Sequence, residues 1–136
     1  MREIKFRGKD SENGKWVFGD LHTLCDKPHI HTEKSKFPYA GKRSFVIPET
    51  IGQFTGLLDK NGVKVFEGDI VDVYDFTSVY ASKYRGVVKM YRGSWCVEYE
   101  DSILDMVAHP RLFFDDFADK KTEVIGNIHD NIDLMK

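Results

Sequence analysis

The chain is expected to fold as a mostly β domain, a small, strongly bent SH3-like barrel of short antiparallel strands with long loops and little helix. Three observations predict it. Apolar and polar residues alternate over short segments, turn residues separate those segments, and aromatics are abundant: ten Phe, six Tyr and two Trp in 136 residues. Aromatic side chains favour strands and bury large areas, and a curled barrel buries many of them while limiting free edges. One core fits a chain of this length, so residues 1–136 are read as a single domain.

The elements follow in order. In residues 3–7, Ile4 and Phe6 alternate with Glu3, Lys5 and Arg7, which places both apolar side chains on one face. Asn13-Gly14 supplies the positive φ angles of a tight hairpin turn. Residues 15–21 resume the alternation, with Trp16 and Phe18 facing one way. Residues 22–43 lose the pattern, and with Pro28, Pro38 and Gly41 they are expected to be a long loop holding one short extended piece. Strands return at 44–47 and 50–55. Asp59 to Gly62 has turn composition, Val63 and Val65 start another strand, Glu67-Gly68-Asp69 turns again, and 70–74 is the next strand. Residues 77–83 read as a polar loop. Strands at 86–91 and 95–99 form a second hairpin through Arg92-Gly93-Ser94. Residues 102–107 and 112–117 are ambiguous; for 112–117 a helical face and a short buried strand at 112–114 both fit. Residues 122–128 are the last strand and 130–134 a helical turn.

Four blocks carry a family resemblance. They are Arg2-x-Ile4-Lys5-Phe6-Arg7, Gln53-x-Thr55-Gly56-Leu57-x-Asp59-x-Asn61-Gly62, Glu67-Gly68-Asp69-Ile70-Val71 and Val124-Ile125-Gly126-Asn127-Ile128. In this order and spacing the chain resembles the YopX family, which is typical of bacteriophages and of prophages in Gram-positive bacteria. The resemblance implies an SH3-like barrel and brings no catalytic residue with it. Residues 22–43 and 101–121 lie outside the matching blocks. Read from the residues alone, Gly56, Gly62 and Gly68 suit sharp changes of direction. Asp59 and Asp69 suit acceptors for backbone amides in their turns, Thr55 suits similar work, and Asn127 suits a turn cap. Thr55, Gly56, Asp59, Asn61, Gly62, Glu67, Gly68, Asp69, Gly126 and Asn127 are therefore expected to set the shape of the fold.

Composition narrows the function. The net charge of −2 divides unevenly: residues 1–43 carry ten Lys or Arg against six Asp or Glu, and the remainder carries ten against sixteen. That mild asymmetry falls short of a dedicated nucleic-acid binder. No apolar run approaches the ~18–20 residues that span a bilayer. The N-terminal residues lack the apolar stretch of a secretory signal, so the expected compartment is the cytosol. Two cysteines do not make a disulfide scaffold; Cys96, between Trp95 and Val97, reads as a packed thiol and Cys25 as an exposed one.

Candidate chemistry is sparse. Cys25-x3-His29-x-His31, with His22 nearby, contains zinc-type ligands, and His-x-His on an extended segment would put both rings on one face. A structural zinc site needs four ligands, usually in tighter pairs, so neither a metal nor a cofactor is expected. The acids of Glu98-x-Glu100-Asp101 and Asp115-Asp116 read as solvated, and His109 and His129 as loop residues. No nucleophile elbow and no phosphate-cradling glycine loop occurs. The chain is therefore expected to be a non-catalytic binding or accessory module that contacts a phage or host protein. Self-association through open strand edges is a further expectation. The alternative is weak single-strand nucleic-acid binding by Lys34, Lys36, Phe37, Tyr39, Lys42 and Arg43, where basic and aromatic residues interleave. Tyr80, Tyr84, Arg85, Tyr91 and Arg92 form a second such set.

Overall fold

The computed structural model describes residues 3–32, 42–75, 82–91, 93–98, 100–101, 106–107, 111–112 and 122–135. The chain divides into two compact units, Met1–Gly56 and Leu57–Lys136. The mostly β expectation holds: among the described residues the only helical pieces are the short 3₁₀ turns Pro48–Thr50 and Ile132–Met135.

The first unit is built on β1 (Phe6–Lys9), β2 (Trp16–Leu24), β3 (Lys27–His31), β4 (Arg43–Phe45) and the start of β5 (Gly52–Leu58). The first strand begins later than alternation suggests, because the ladder starts with Phe6 opposite Gly19 and leaves Ile4 exposed. Only Gly14 takes a positive φ in the first turn. The connection is wider than a two-residue turn: the Asp10 amide donates to the Lys15 carbonyl at 2.8 Å, and the Glu12 amide to Asp10 Oδ1 at 2.8 Å. The 3₁₀ turn is tied to β1 by buried Thr50, whose hydroxyl accepts from the Lys9 amide at 2.8 Å and donates to the Ile47 carbonyl at 2.6 Å.

Residues 22–31 correct the sequence reading. They are not loop: β2 runs on to Leu24 and β3 returns beside it, with Thr23 opposite Pro28 and Leu24 opposite Lys27. The turn is Cys25-Asp26, with φ of 50° and 62°. Two left-handed residues are what a tight hairpin requires, but here neither is glycine or asparagine, so the usual turn signal is missing. Pro28 is accommodated near the start of β3, before the ladder to β4 begins at His29.

In the second unit β6 (Lys64–Phe66) precedes the sheet of β7 (Asp69–Asp75), β8 (Ser82–Tyr91), β9 (Ser94–Glu98), β12 (Arg111–Leu112) and β13 (Thr122–Asn127). β10 (Glu100–Asp101) and β11 (Met106–Val107) form a separate pair. Val65, Val71, Val73, Val88 and Val97 are fully buried together, with Leu57, Tyr84, Trp95 and Val124 packed against them. The hairpin of β8 and β9 turns through Gly93 as expected, with Tyr91 opposite Ser94. Of residues 112–117, Leu112 belongs to β12, opposite Cys96, and 113–117 lie outside the described residues.

Strand order runs β4-β3-β2-β1-β5-β6 in one sheet and β12-β9-β8-β7-β13 in the other. Closing a barrel needs the end strands of a sheet to pair. Among the described residues β4 and β6 share no ladder, nor do β12 and β13, so these are open sheets and the expected closure is not found.

Candidate functional site

The first unit gathers its chemistry on one face of β2, β3 and β4. Alternation sends Phe18, Asp20, His22 and Leu24 to one side of β2. Register then sets His31 opposite Asp20, His29 opposite His22, and Lys27 opposite Leu24. β4 adds Arg43 opposite His31 and Phe45 opposite His29. On the other side Ile30 and Ser44 are buried, which fixes the histidine side as the outer face.

Three apolar side chains stand in the open on this outer face: Phe18, Leu24 and Phe45 are 43%, 53% and 50% exposed. Between them Phe45, His29 and His22 form a row of rings across three strands. His22 and His29 lie nearly parallel with centroids 5.5 Å apart, and Phe45 meets His29 edge-on at 5.8 Å. His31 meets His22 at 6.4 Å. His29 is only 5% exposed, and its Nδ1 has no hydrogen-bond partner among the described residues. Burial lowers its pKa from the ordinary histidine value, the charges of His22, Arg43 and His31 push the same way, and the Lys27 carbonyl opposes them. The ring is held neutral at pH 7.

Two hollows flank the row. His22, Thr23, Leu24, His29, His31 and Arg43 line an open cleft of about 350 Å³. Lys27, Pro28, Phe45, Val46 and Pro48 border another, more apolar, of about 420 Å³.

The structure brings the zinc-type residues His22, His29 and His31 onto one face and leaves Cys25 exposed in the turn. Imidazole lone pairs lie in the ring plane, so parallel rings do not converge on one ion. Among the described residues no group of three or more His, Cys, Asp or Glu is placed to hold a metal. Of the basic and aromatic set, Lys42 and Arg43 are exposed, while Lys34, Lys36, Phe37 and Tyr39 lie outside the described residues. The second set is dispersed in use. Arg85 is paired with Asp72 at 2.7 Å, Tyr84 packs on the valine cluster, and Tyr80 and Arg92 lie outside the described residues.

The residues of the family blocks are engaged by backbone. Asp59 Oδ1 accepts from the Asn61 and Val63 amides at 2.8 and 2.9 Å, and Oδ2 from the Val124 amide at 3.0 Å. Asp69 Oδ2 accepts from the Phe66 amide at 2.7 Å. Asn127 Oδ1 caps the last turn by accepting from the His129 and Asp130 amides, both at 3.0 Å. Gly62 and Gly68 hold φ of 80° and 90° in their turns, whereas Gly56, at 86°, lies inside β5 instead of at a turn. Thr55 is buried, Glu67 is half-buried at the second turn, and Gly126 sits at the irregularity in the register between β13 and β7.

Sequence reasoning missed Leu24 and Phe45 as surface residues of one site. The signal was present as the spacing of two through Phe18, Asp20, His22 and Leu24, and again through His29 and His31, but Pro28 and the glycine-free turn masked it.

A family model described as YopX protein matches residues 5–136. Among solved structures the chain is similar to one titled as the crystal structure of protein EF1440 from Enterococcus faecalis. The identity is 22%, the TM-score 0.59, and both chains are covered in full. At that identity the likeness speaks for the fold alone. No curated protein matches.

Proposed function

The chain belongs to the YopX family, and on that footing we propose that it is a non-catalytic binding module that docks a phage or host protein on the outer face of β2, β3 and β4. The observation that carries this reading is the exposure of Phe18, Leu24 and Phe45 on one sheet face, beside an apolar hollow. Large apolar side chains clustered in the open mark interaction surfaces more often than singly scattered ones do. The acids that could serve catalysis favour the same reading. Asp59, Asp69 and Asp72 are buried and bound to backbone amides or to Arg85. Action in the cytosol accords with two free thiols, Cys25 and Cys96.

The test is capture from phage-infected cells by the tagged protein. Wild type is expected to retain a discrete protein partner. A Leu24→Ser/Phe45→Ser variant, folded by circular dichroism, is expected to lose it. Equal capture by the variant, or no protein recovered by wild type, would overturn the reading. The exposed pair Lys42 and Arg43 at the start of β4 supports single-strand nucleic-acid binding as a second reading. It requires affinity for an oligonucleotide that falls steeply with salt; no binding at low ionic strength removes it.

A further inference from the structure

We infer that the cleft of His22, His29, His31 and Arg43 receives a carboxylate-bearing, acidic peptide segment, and grips it more tightly as pH falls through the histidine range. This rests on the reading of the outer face as a docking surface and names the chemistry of what docks there.

The argument starts from charge without compensation. Four side chains able to carry positive charge border one open cleft, and among the described residues no carboxylate lines it. Among the described residues Arg43 makes no ion pair. Two acids, Asp20, which stands opposite His31 in register, and Glu3, share a neighbouring hollow with His31 but lie outside the cleft lining. Lys27, opposite Leu24, adds a further cation to the face, whereas Lys42 lies by alternation on the Ser44 side, where its charge acts on Asp10. His29 records the imbalance: the charges of His22, Arg43 and His31 all oppose its protonation. An anion entering the cleft offsets that repulsion and favours the charged form of the His29 ring. By linkage, a ligand that raises a histidine pKa must bind more tightly where that histidine is charged.

Extended peptide suits the site better than a compact ion. The cleft is open, and Leu24 and Phe45 flank the charged groups with exposed apolar surface, so side chains on either side of an acidic residue find contacts. The guanidinium of Arg43 offers the fork that pairs with a carboxylate in two hydrogen bonds.

The experiment titrates the whole protein with capped hexaglutamate and follows the histidine ring resonances by NMR at about pH 7.5 and about pH 6. The resonances of His22 and His31 are expected to move, with tighter binding at the lower pH and weaker binding in high salt. Arg43→Gln is expected to weaken binding about tenfold. A His22→Asn/His31→Asn variant is expected to flatten the pH dependence, which a merely structural role of these two rings would leave intact. Unmoved resonances, or full affinity in Arg43→Gln, would overturn the inference. So would response to inorganic phosphate, or to an oligothymidylate of equal charge, without response to hexaglutamate. The outer face as a docking surface is judged separately, by capture with the Leu24→Ser/Phe45→Ser variant.

Discussion

Asp59 is a short side chain that holds distant pieces of backbone together. It is buried, and its three amide partners come from its own turn and from Val124 in the last strand. Removing the carboxylate takes the acceptor from three amides, so Asp59→Ala is expected to cost about 3 kcal/mol. Urea unfolding would show a lower midpoint with an unchanged slope. Asp59→Asn is expected to cost less, because one oxygen still accepts, while its amide group opposes the Val124 N–H. A loss under about 1 kcal/mol in the alanine variant would show that water replaces the carboxylate. Gly86 is fixed by a different force. A Cβ there would lie 2.5 Å from Val97 Cγ1 and 2.6 Å from the Glu98 carbonyl oxygen. Gly86→Ala is expected to push β8 from β9 at a cost of about 1–3 kcal/mol by the same measurement.

Pairs of strands are where the ionisable groups act. Asp72 and Arg85 face each other across β7 and β8, bonded at 2.7 and 3.2 Å, and Arg85 also donates to the Leu134 carbonyl at 3.2 Å. Burial works to raise the Asp72 pKa, but the bond to Arg85 and the charges of Arg85 and Lys83 outweigh it, so the carboxyl sits below its ordinary value of 3.8. A group depressed on folding stabilises above its unfolded pKa and loses that contribution as pH falls through the folded one. Acid unfolding is thus expected below about pH 4, and Arg85→Gln is expected to move it upward. At neutral pH the same variant is expected to cost about 2 kcal/mol, limited by the partial exposure of Arg85. The hairpin of β2 and β3 responds in a higher window. Because the His29 pKa is depressed from 6.5, the unfolded chain takes up its proton first as pH falls. Stability is therefore full above that value and declines below it. The urea midpoint is expected to drop between about pH 7 and about pH 5, and to drop less in His29→Gln. An unchanged wild-type midpoint across that range would contradict the burial of a neutral ring.

At the scale of the molecule, order is expected to follow burial. Val71, Val73, Val88 and Val97 are fully inaccessible, whereas the Thr23 to Lys27 end of the long hairpin is exposed. Amide hydrogen exchange is expected to be slowest for the valine strands and fast for Thr23 and Leu24, since opening the hairpin tip uncovers little apolar surface. Equal protection at both places would mean that the two units open together. Docking on the outer face is expected to slow exchange at the hairpin tip first.

Alternation and turn chemistry are local properties, and they specified what depends on neighbours in the chain. The run from Gln53 to Val71 shows its strands, its turns and its amide-accepting acids in the order of its residues, and the hairpin through Gly93 is equally plain. Sheet order, register and closure depend instead on which distant strands meet. Cross-strand pairing holds Cys25 and Asp26 in left-handed conformations, which the Cys25 side chain by itself does not favour. Only that non-local pairing set His22 against His29, put Arg43 and Phe45 beside them, and, among the described residues, left two sheets open where a closed barrel was expected.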